Sequence, residues 1–187
     1  MSKEKEPIKT SIKRIRRELE HKGAIVNVYS DYMELPNGKT TKWDYIEHPK
    51  GAAAVVAILP DGKLLMVKQF RNALDRYTLE IPAGSRDAAT EPTIQCAARE
   101  LEEETGYRCE KLEFLISLKT TVAFCNELID VYVAKDLIPS KQHLDEDEFI
   151  ELEAHSLEEL CERIYKGEIQ DAKTVAAIMA YKNKINV

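Results

Sequence analysis

Residues 84–107 read Gly-Ser-Arg-Asp-Ala-Ala-Thr-Glu-Pro-Thr-Ile-Gln-Cys-Ala-Ala-Arg-Glu-Leu-Glu-Glu-Glu-Thr-Gly-Tyr. Wound as an α-helix at about 100° per residue, Glu100, Glu103 and Glu104 fall within an arc about 100° wide. Ile94, Ala97, Ala98 and Leu101 gather on a different arc, and Glu102 lies outside both. Three carboxylates therefore share a face beside the apolar stripe rather than within it. Like charges at this spacing repel by about 0.2–0.5 kcal/mol per exposed pair, and by more when partly buried. A helix that needed only to be soluble would interleave lysines here. Hard oxygen ligands on one face suit Mg²⁺ or Mn²⁺, and a divalent ion turns the repulsion into binding energy. A glutamate run is usually a solvated helix face. This one differs in being framed by Arg99 and Gly106, with Gly84 and Glu91 upstream.

Working outward, the helix is expected from Glu91 or Pro92 to Thr105, with Thr90 as N-cap and Gly106 as its stop. Ala52 to Leu59 is a continuous apolar run closed by Pro60-Asp61-Gly62, and Lys63 to Gln69 follows as a second strand. Such a pair suits strands buried on both faces. Tyr77 to Ile81 is a short strand leading into Pro82-Ala83-Gly84. Leu112 to Thr120, Glu127 to Ala134 and Ile150 to Ala154 read as further strands. Ser156 with Glu159 forms a capping box for a helix ending at Gly167, and Asp171 caps another from Ala172 to Lys182. Before the main run, Gly23 to Tyr32 and Thr40 to Glu47 alternate around the turn signal Asn37-Gly38, which predicts a β-hairpin arm. Residues 1–12 are lysine-rich and expected to fray. Strands, helix, strands and helices in that order suggest a mixed sheet with helices on both faces.

A chain of 187 residues suits one α/β or α+β domain with a decorated N-terminus. Its formal net charge of −6 makes it a poor general binder of nucleic acid, whose affinity rests on neutralising phosphates. An anionic substrate would be held through a metal and local arginines. There is no run of eighteen apolar residues and no signal-type N-terminus, so the sequence predicts a cytoplasmic protein without a membrane span. Cys96, Cys109, Cys125 and Cys161 are widely spaced and read as reduced thiols, while the four histidines stand singly.

The framed stretch resembles the Nudix box: glycine, five residues, glutamate, seven residues, Arg-Glu, an aliphatic, any residue, Glu-Glu, any residue, glycine, and an aliphatic or aromatic. Glu91, Arg99, Glu100, Leu101, Glu103, Glu104, Gly106 and Tyr107 fit in register. Six residues rather than five separate Gly84 from Glu91. The resemblance implies an α/β/α sandwich in which Glu100, Glu103 and Glu104 hold the metal with the Ala83 carbonyl. Arg99 would hold a carboxylate in its ligating rotamer, and Gly84 would admit backbone close to the metal.

Outside the box, Val67-Lys68-Gln69-Phe70-Arg71 followed by Leu79-Glu80-Ile81-Pro82-Ala83-Gly84 is similar to the ADP-ribose pyrophosphatase branch of that family. The resemblance covers roughly residues 20–185. It implies that Arg71 pairs with the substrate's diphosphate and that Glu80 holds a metal-bound water. The general base would be Glu146 or Glu148, Glu146 first, in the acidic loop Leu144–Glu151. Trp43 would stack on adenine; a second stacking ring is lacking near Ile25. The implied organisation is a dimerisation arm over residues 1–48 and a Nudix domain over 49–187, assembled as a homodimer. The implied reaction is Mg²⁺-dependent hydrolysis of nucleoside diphosphate sugars, ADP-ribose giving AMP and ribose 5-phosphate. Another sugar nucleotide, an oxidised nucleoside triphosphate, or ADP-ribose binding without cleavage are the alternatives.

Overall fold

A computed structural model describes residues 11–146 and 148–185. The expected fraying of residues 1–12 thus falls almost wholly outside the described residues. The chain divides into two compact units, Met1–Pro49 with Thr121–Glu127, and Lys50–Thr120 with Leu128–Val187.

In the first unit, β1 (Lys13–Lys22), β2 (Asn27–Glu34) and β3 (Thr40–Glu47) form an antiparallel sheet in chain order. The turn between β2 and β3 forms where Asn37-Gly38 predicts it. Gly38 takes φ 76°, and the Asn37 side chain accepts the Lys39 N–H at 3.0 Å. The arm has one strand more than the expected hairpin. The Lys13–Lys22 segment lacks a period-2 apolar pattern because register shifts between Arg14 and Arg16 and between Leu19 and His21 interrupt the alternation. It is held by specific partners instead: Arg17 makes two 2.6 Å bonds to Asp31 and lies 3.6 Å over the Tyr45 ring. The segment Thr121–Glu127 joins this unit through a bridge between Ile46 and Cys125.

The second unit is built on β4 (Ala52–Ile58), β5 (Leu64–Arg71), β6 (Arg76–Glu80), β7 (Ala83–Ser85), β8 (Tyr107–Arg108), β9 (Leu112–Lys119), β10 (Leu128–Ala134), β11 (Ile138–Pro139) and β12 (Ile150–His155). Its helices are α1 (Thr93–Thr105), α2 (Leu157–Tyr165) and α3 (Ala172–Ile185). The main sheet runs β12-β5-β4-β10-β9, with β10 parallel to β4 and the other pairings antiparallel, while β8 and β11 pair separately. Strand β4 is apolar along its length because both of its faces are covered. Ala52, Ala54 and Val56 pack with α2 and α3 side chains including Leu160 and Ile178. Ala53, Val55 and Ala57 pack on the other side with Cys96, Ala97 and Leu101 of α1. This is the expected α/β architecture, a mixed sheet between helices.

Strands β4 and β5 pair only at Ala57–Leu65 and Ile58–Leu64. Beyond that point they diverge, β6 pairing with β5 and β7 with β4. The chain from Glu80 to Ala83 crosses the gap, pinned where the Val55 N–H donates to the Pro82 carbonyl at 2.9 Å. That crossing runs into a three-residue strand too short to read from sequence and sets the Ala83 N–H against Glu104 in the last turn of α1.

Helix α1 begins later than expected. Pro92, extended at ψ 134°, is the N-cap, and Thr90 makes no cap. A proline biases its predecessor away from the helix, and Glu91 is already engaged in a turn to the Ala88 carbonyl at 3.0 Å. The C-terminus is as expected, with Gly106 left-handed at φ 68°. Ser156 caps α2 by accepting the Glu159 N–H at 3.1 Å, but the box is one-sided, since the Glu159 carboxylate bonds His155. Asp171 caps α3 through the Thr174 N–H at 3.0 Å.

Candidate active site

The carboxylate face of α1 is not separate from its buried face. Glu100 and Glu104 are buried at 8% and 2% exposure together with Cys96, Ala97 and Leu101, whereas Ile94 is 44% exposed and Ala98 is exposed. The apolar stripe is thus narrower than the sequence suggests, and two acids occupy what should be core. Burial pushes Glu100 up to about 7 against the pull of Arg99, with Glu103 and Glu148 adding to the rise. Burial pushes Glu104 further, to about 8, although the Ala83 N–H donates to it at 2.9 Å; Glu100 and Glu148 again add.

Arg99 organises the outer half of this face. Its Nη1 donates to Glu100 at 2.7 Å and to Glu103 at 2.9 Å, and its Nη2 donates to the Ser85 carbonyl at 3.0 Å. Burial opposes its charge, but the surrounding carboxylates, Glu100 first, hold the guanidinium firmly protonated. Glu91 approaches Arg99 at 3.4 Å and accepts the Asp87 N–H at 2.7 Å. The extra residue before Glu91 is absorbed in this loop, which Arg86 closes by donating to the carbonyls of Lys50, Ala89 (2.8 Å) and Glu91 (3.1 Å). Glu91 therefore keeps its register with Arg99 despite the insertion. Glu102 points elsewhere and accepts from the Ser140 hydroxyl.

Among the described residues, no three His, Cys, Asp or Glu side chains are gathered as a metal-holding cluster. Arg99 holds Glu100 and Glu103 through one nitrogen, while Glu104 turns to the Ala83 amide. The donor chemistry nevertheless fits a hard divalent ion: oxygen ligands, two of them buried, with Arg99 bonded to Glu100 and only the Ala83 amide bonded to Glu104. A second observation agrees. A Cβ on Gly84 would lie 2.2–2.3 Å from the Glu100 carboxylate, so β7 and α1 form a cradle that any side chain at residue 84 would fill.

Arg71 and Glu80, expected to serve separate roles, are bonded to each other. Arg71 donates to both Glu80 oxygens at 2.8 and 2.7 Å. Thr78 donates to the same carboxylate at 2.6 Å, and Lys173 of α3 also donates to it. Burial alone would raise Glu80, but Arg71, Lys173 and Thr78 together hold it down at about 2. Lys173 escaped the sequence reading. Its signal is a lysine in the first turn of a helix, where the helix field disfavours a cation unless an acid is at hand.

In the acidic loop, Glu146 is exposed at a turn and Glu148 is half-buried. Glu148 is the loop acid near enough to raise both Glu100 and Glu104. Trp43, in the first unit, is 45% exposed and lines an open depression of about 630 Å³ with Lys42, Asp44, Ile46, Ala123 and Phe124. Ile25 is 67% exposed.

The NUDIX domain pattern matches residues 48–178. The methanol dehydrogenase activator of Bacillus methanolicus is 44% identical over 168 residues, covering 89% of this chain and 90% of its own. The ADP-ribose pyrophosphatase of Bacillus subtilis is 42% identical over the same coverage of each chain. The crystal structure of an ADP compounds hydrolase aligns with a TM-score of 0.85 at 21% identity over 97% of both chains, a likeness of fold.

Proposed function

This chain belongs to the NUDIX domain family, and from that premise we propose that it hydrolyses the diphosphate of nucleoside diphosphate sugars, ADP-ribose first, to AMP and ribose 5-phosphate. The observation that carries the reading is the pair of buried carboxylates against β7, Glu100 facing the side-chain-free Gly84 and Glu104 accepting the Ala83 N–H. The 42% identity to an ADP-ribose pyrophosphatase supports the substrate.

Glu100, Glu103 and Glu104, with the Ala83 carbonyl, would hold Mg²⁺, or Mn²⁺ in its place. When bound, such an ion neutralises diphosphate charge and acts as a Lewis acid toward phosphorus. Arg99 fixes the rotamers of Glu100 and Glu103 through its 2.7 and 2.9 Å bonds. Arg71, on a half-exposed arm, meets the remaining phosphate charge. We assign the base to Glu148 rather than Glu146, because Glu148 is the half-buried acid whose charge reaches the ligand face. Glu148 takes the proton as water attacks phosphorus and the bridging P–O bond breaks.

We further propose a homodimer formed through the arm, with Trp43 stacking on adenine. Ile15 and Leu19 on β1, an edge strand of its sheet, are each at least half exposed, and Trp43 on β3 is nearly so. A small sheet carrying such side chains gains stability by covering them. A cytoplasmic setting suits this substrate. Among the described residues no helix is long and apolar enough to cross a membrane. The test is kcat/KM for ADP-ribose against a panel of other sugar nucleotides and oxidised nucleoside triphosphates. ADP-ribose should lead; a hundredfold preference for another substrate would refute the specificity.

A second reading comes from the relative named for activating methanol dehydrogenase, namely action on a partner enzyme. It predicts that a dehydrogenase assay responds to this protein. Loss of that response in Glu104→Gln would tie it to hydrolysis.

A further inference from the structure

We propose that Lys173 is a positioning residue whose charge lets Arg71 leave Glu80 for a substrate diphosphate. The inference rests on the reading that Arg71 meets that diphosphate. Four donors converge on the Glu80 carboxylate: Arg71 twice, the Thr78 hydroxyl and the Lys173 ammonium. A carboxylate offers about four lone-pair sites, so this one is saturated, and by two cations, of which Lys173 is shared with Asp171. The two cations differ in freedom. The Arg71 side chain is 38% exposed, while that of Lys173 is 11% exposed and also held at 3.0 Å by Asp171, the N-cap acceptor of α3.

Glu80 is only 2% exposed, so its charge needs a partner at all times. With Lys173 and Thr78 in place, Arg71 can rotate away and leave the carboxylate still bonded to an ammonium and a hydroxyl. Without Lys173, the departure of Arg71 would leave a buried charge uncompensated, and the 2.7–2.8 Å bidentate pair would become a trap. The planar fork that now grips Glu80 is the geometry that grips two phosphate oxygens. Lys173 thus acts through Arg71 and need not touch the ligand.

The experiment is calorimetric titration with methylenediphosphonate in Mg²⁺, a probe with two phosphorus centres and no hydrolysable bridge. Lys173→Met should bind about tenfold more weakly than wild type or worse, and Lys173→Arg should recover to within about threefold. Lys173→Met/Glu80→Gln should also recover, because the carboxylate that captures Arg71 has lost its charge. A lysine that only stabilised the fold would lower the unfolding midpoint in Lys173→Met and leave the affinity of the folded protein for the probe unchanged. Wild-type affinity in Lys173→Met, or a double variant no better than the single, overturns the proposal. Should Lys173→Met not fold, Glu80→Gln alone decides: it must bind the probe at least as tightly as wild type, and weaker binding overturns the proposal. Turnover of ADP-ribose by the wild type is measured separately, so the choice of substrate can fail without affecting this result.

Discussion

Gly84→Ala tests the cradle between β7 and α1 with one methyl group. The residue has an ordinary φ, so the substitution adds a contact and no backbone strain. The new Cβ would sit 2.2 Å from the Glu100 Cδ and 2.3 Å from both of its oxygens. Ordinary contact begins at 3.4 Å, so the carboxylate must retreat by about 1.2 Å. It is the far end of a flexible side chain and can move, but only by giving up its 2.7 Å bond to Arg99. A charge-assisted bond of this kind contributes about 1.5–3 kcal/mol, which for a chain of this size lowers Tm by roughly 3–12 °C. The protein should therefore fold. Activity should fall far more, on the order of 100-fold in kcat, because a displacement of about an ångström in the machinery has that effect. Calorimetric unfolding with and without Mg²⁺, alongside steady-state kinetics, measures both. In a Glu100→Ala background the clash is gone, and adding Gly84→Ala should cost almost no further stability. Wild-type kcat in Gly84→Ala, or a full additional stability loss in the double variant, would show that Gly84 and Glu100 form no such cradle.

Glu104→Gln should lower kcat by orders of magnitude, with Glu102→Gln as a near-silent control. Burial puts the folded pKa of Glu104 near 8, above its unfolded 4.5, so its contribution to stability is complete below 4.5 and lost as pH rises through 8. In metal-free buffer Glu104→Gln should flatten that decline, gaining on the order of 2 kcal/mol at pH 8; urea midpoints at pH 5 and pH 8 check the sign. Glu148→Gln should cut kcat with little change in substrate affinity, while Glu146→Gln should leave kcat within about threefold; equal losses would dissolve the assignment. Trp43→Ala should raise KM for ADP-ribose about tenfold and spare kcat, since stacking on a base contributes roughly 1–3 kcal/mol far from the reacting phosphates; an unchanged KM removes Trp43 from the site.

The sequence was most readable where burial imposes a period. The apolar run of β4 declares its two covered faces, and Gly106 and Asp171 mark helix ends by chemistry that acts over a few residues. Pattern reading was weaker where tertiary pairing decides. β1 is a charged segment made a strand by its partners, chiefly Asp31 and Tyr45. β7 exists because the sheet opens between β4 and β5. At the candidate site, the acidic residues of α1 stand out by spacing, but their burial does not. An angular wheel puts Glu100 and Glu104 beside the core, whereas β7 lies over them and puts them inside it. Lys173 could not be joined to Glu80 across 93 residues without the fold.

Hydrolysis of the ADP-ribose diphosphate at the α1 carboxylates can be read from its products. Wild type and Glu104→Gln are incubated with ADP-ribose and Mg²⁺, and the products are identified by mass spectrometry. The wild type should yield equimolar AMP and ribose 5-phosphate, none in the presence of chelator, and Glu104→Gln nearly none. Intact ADP-ribose recovered from a wild type that binds it, or equal product from both proteins, would contradict hydrolysis at these carboxylates.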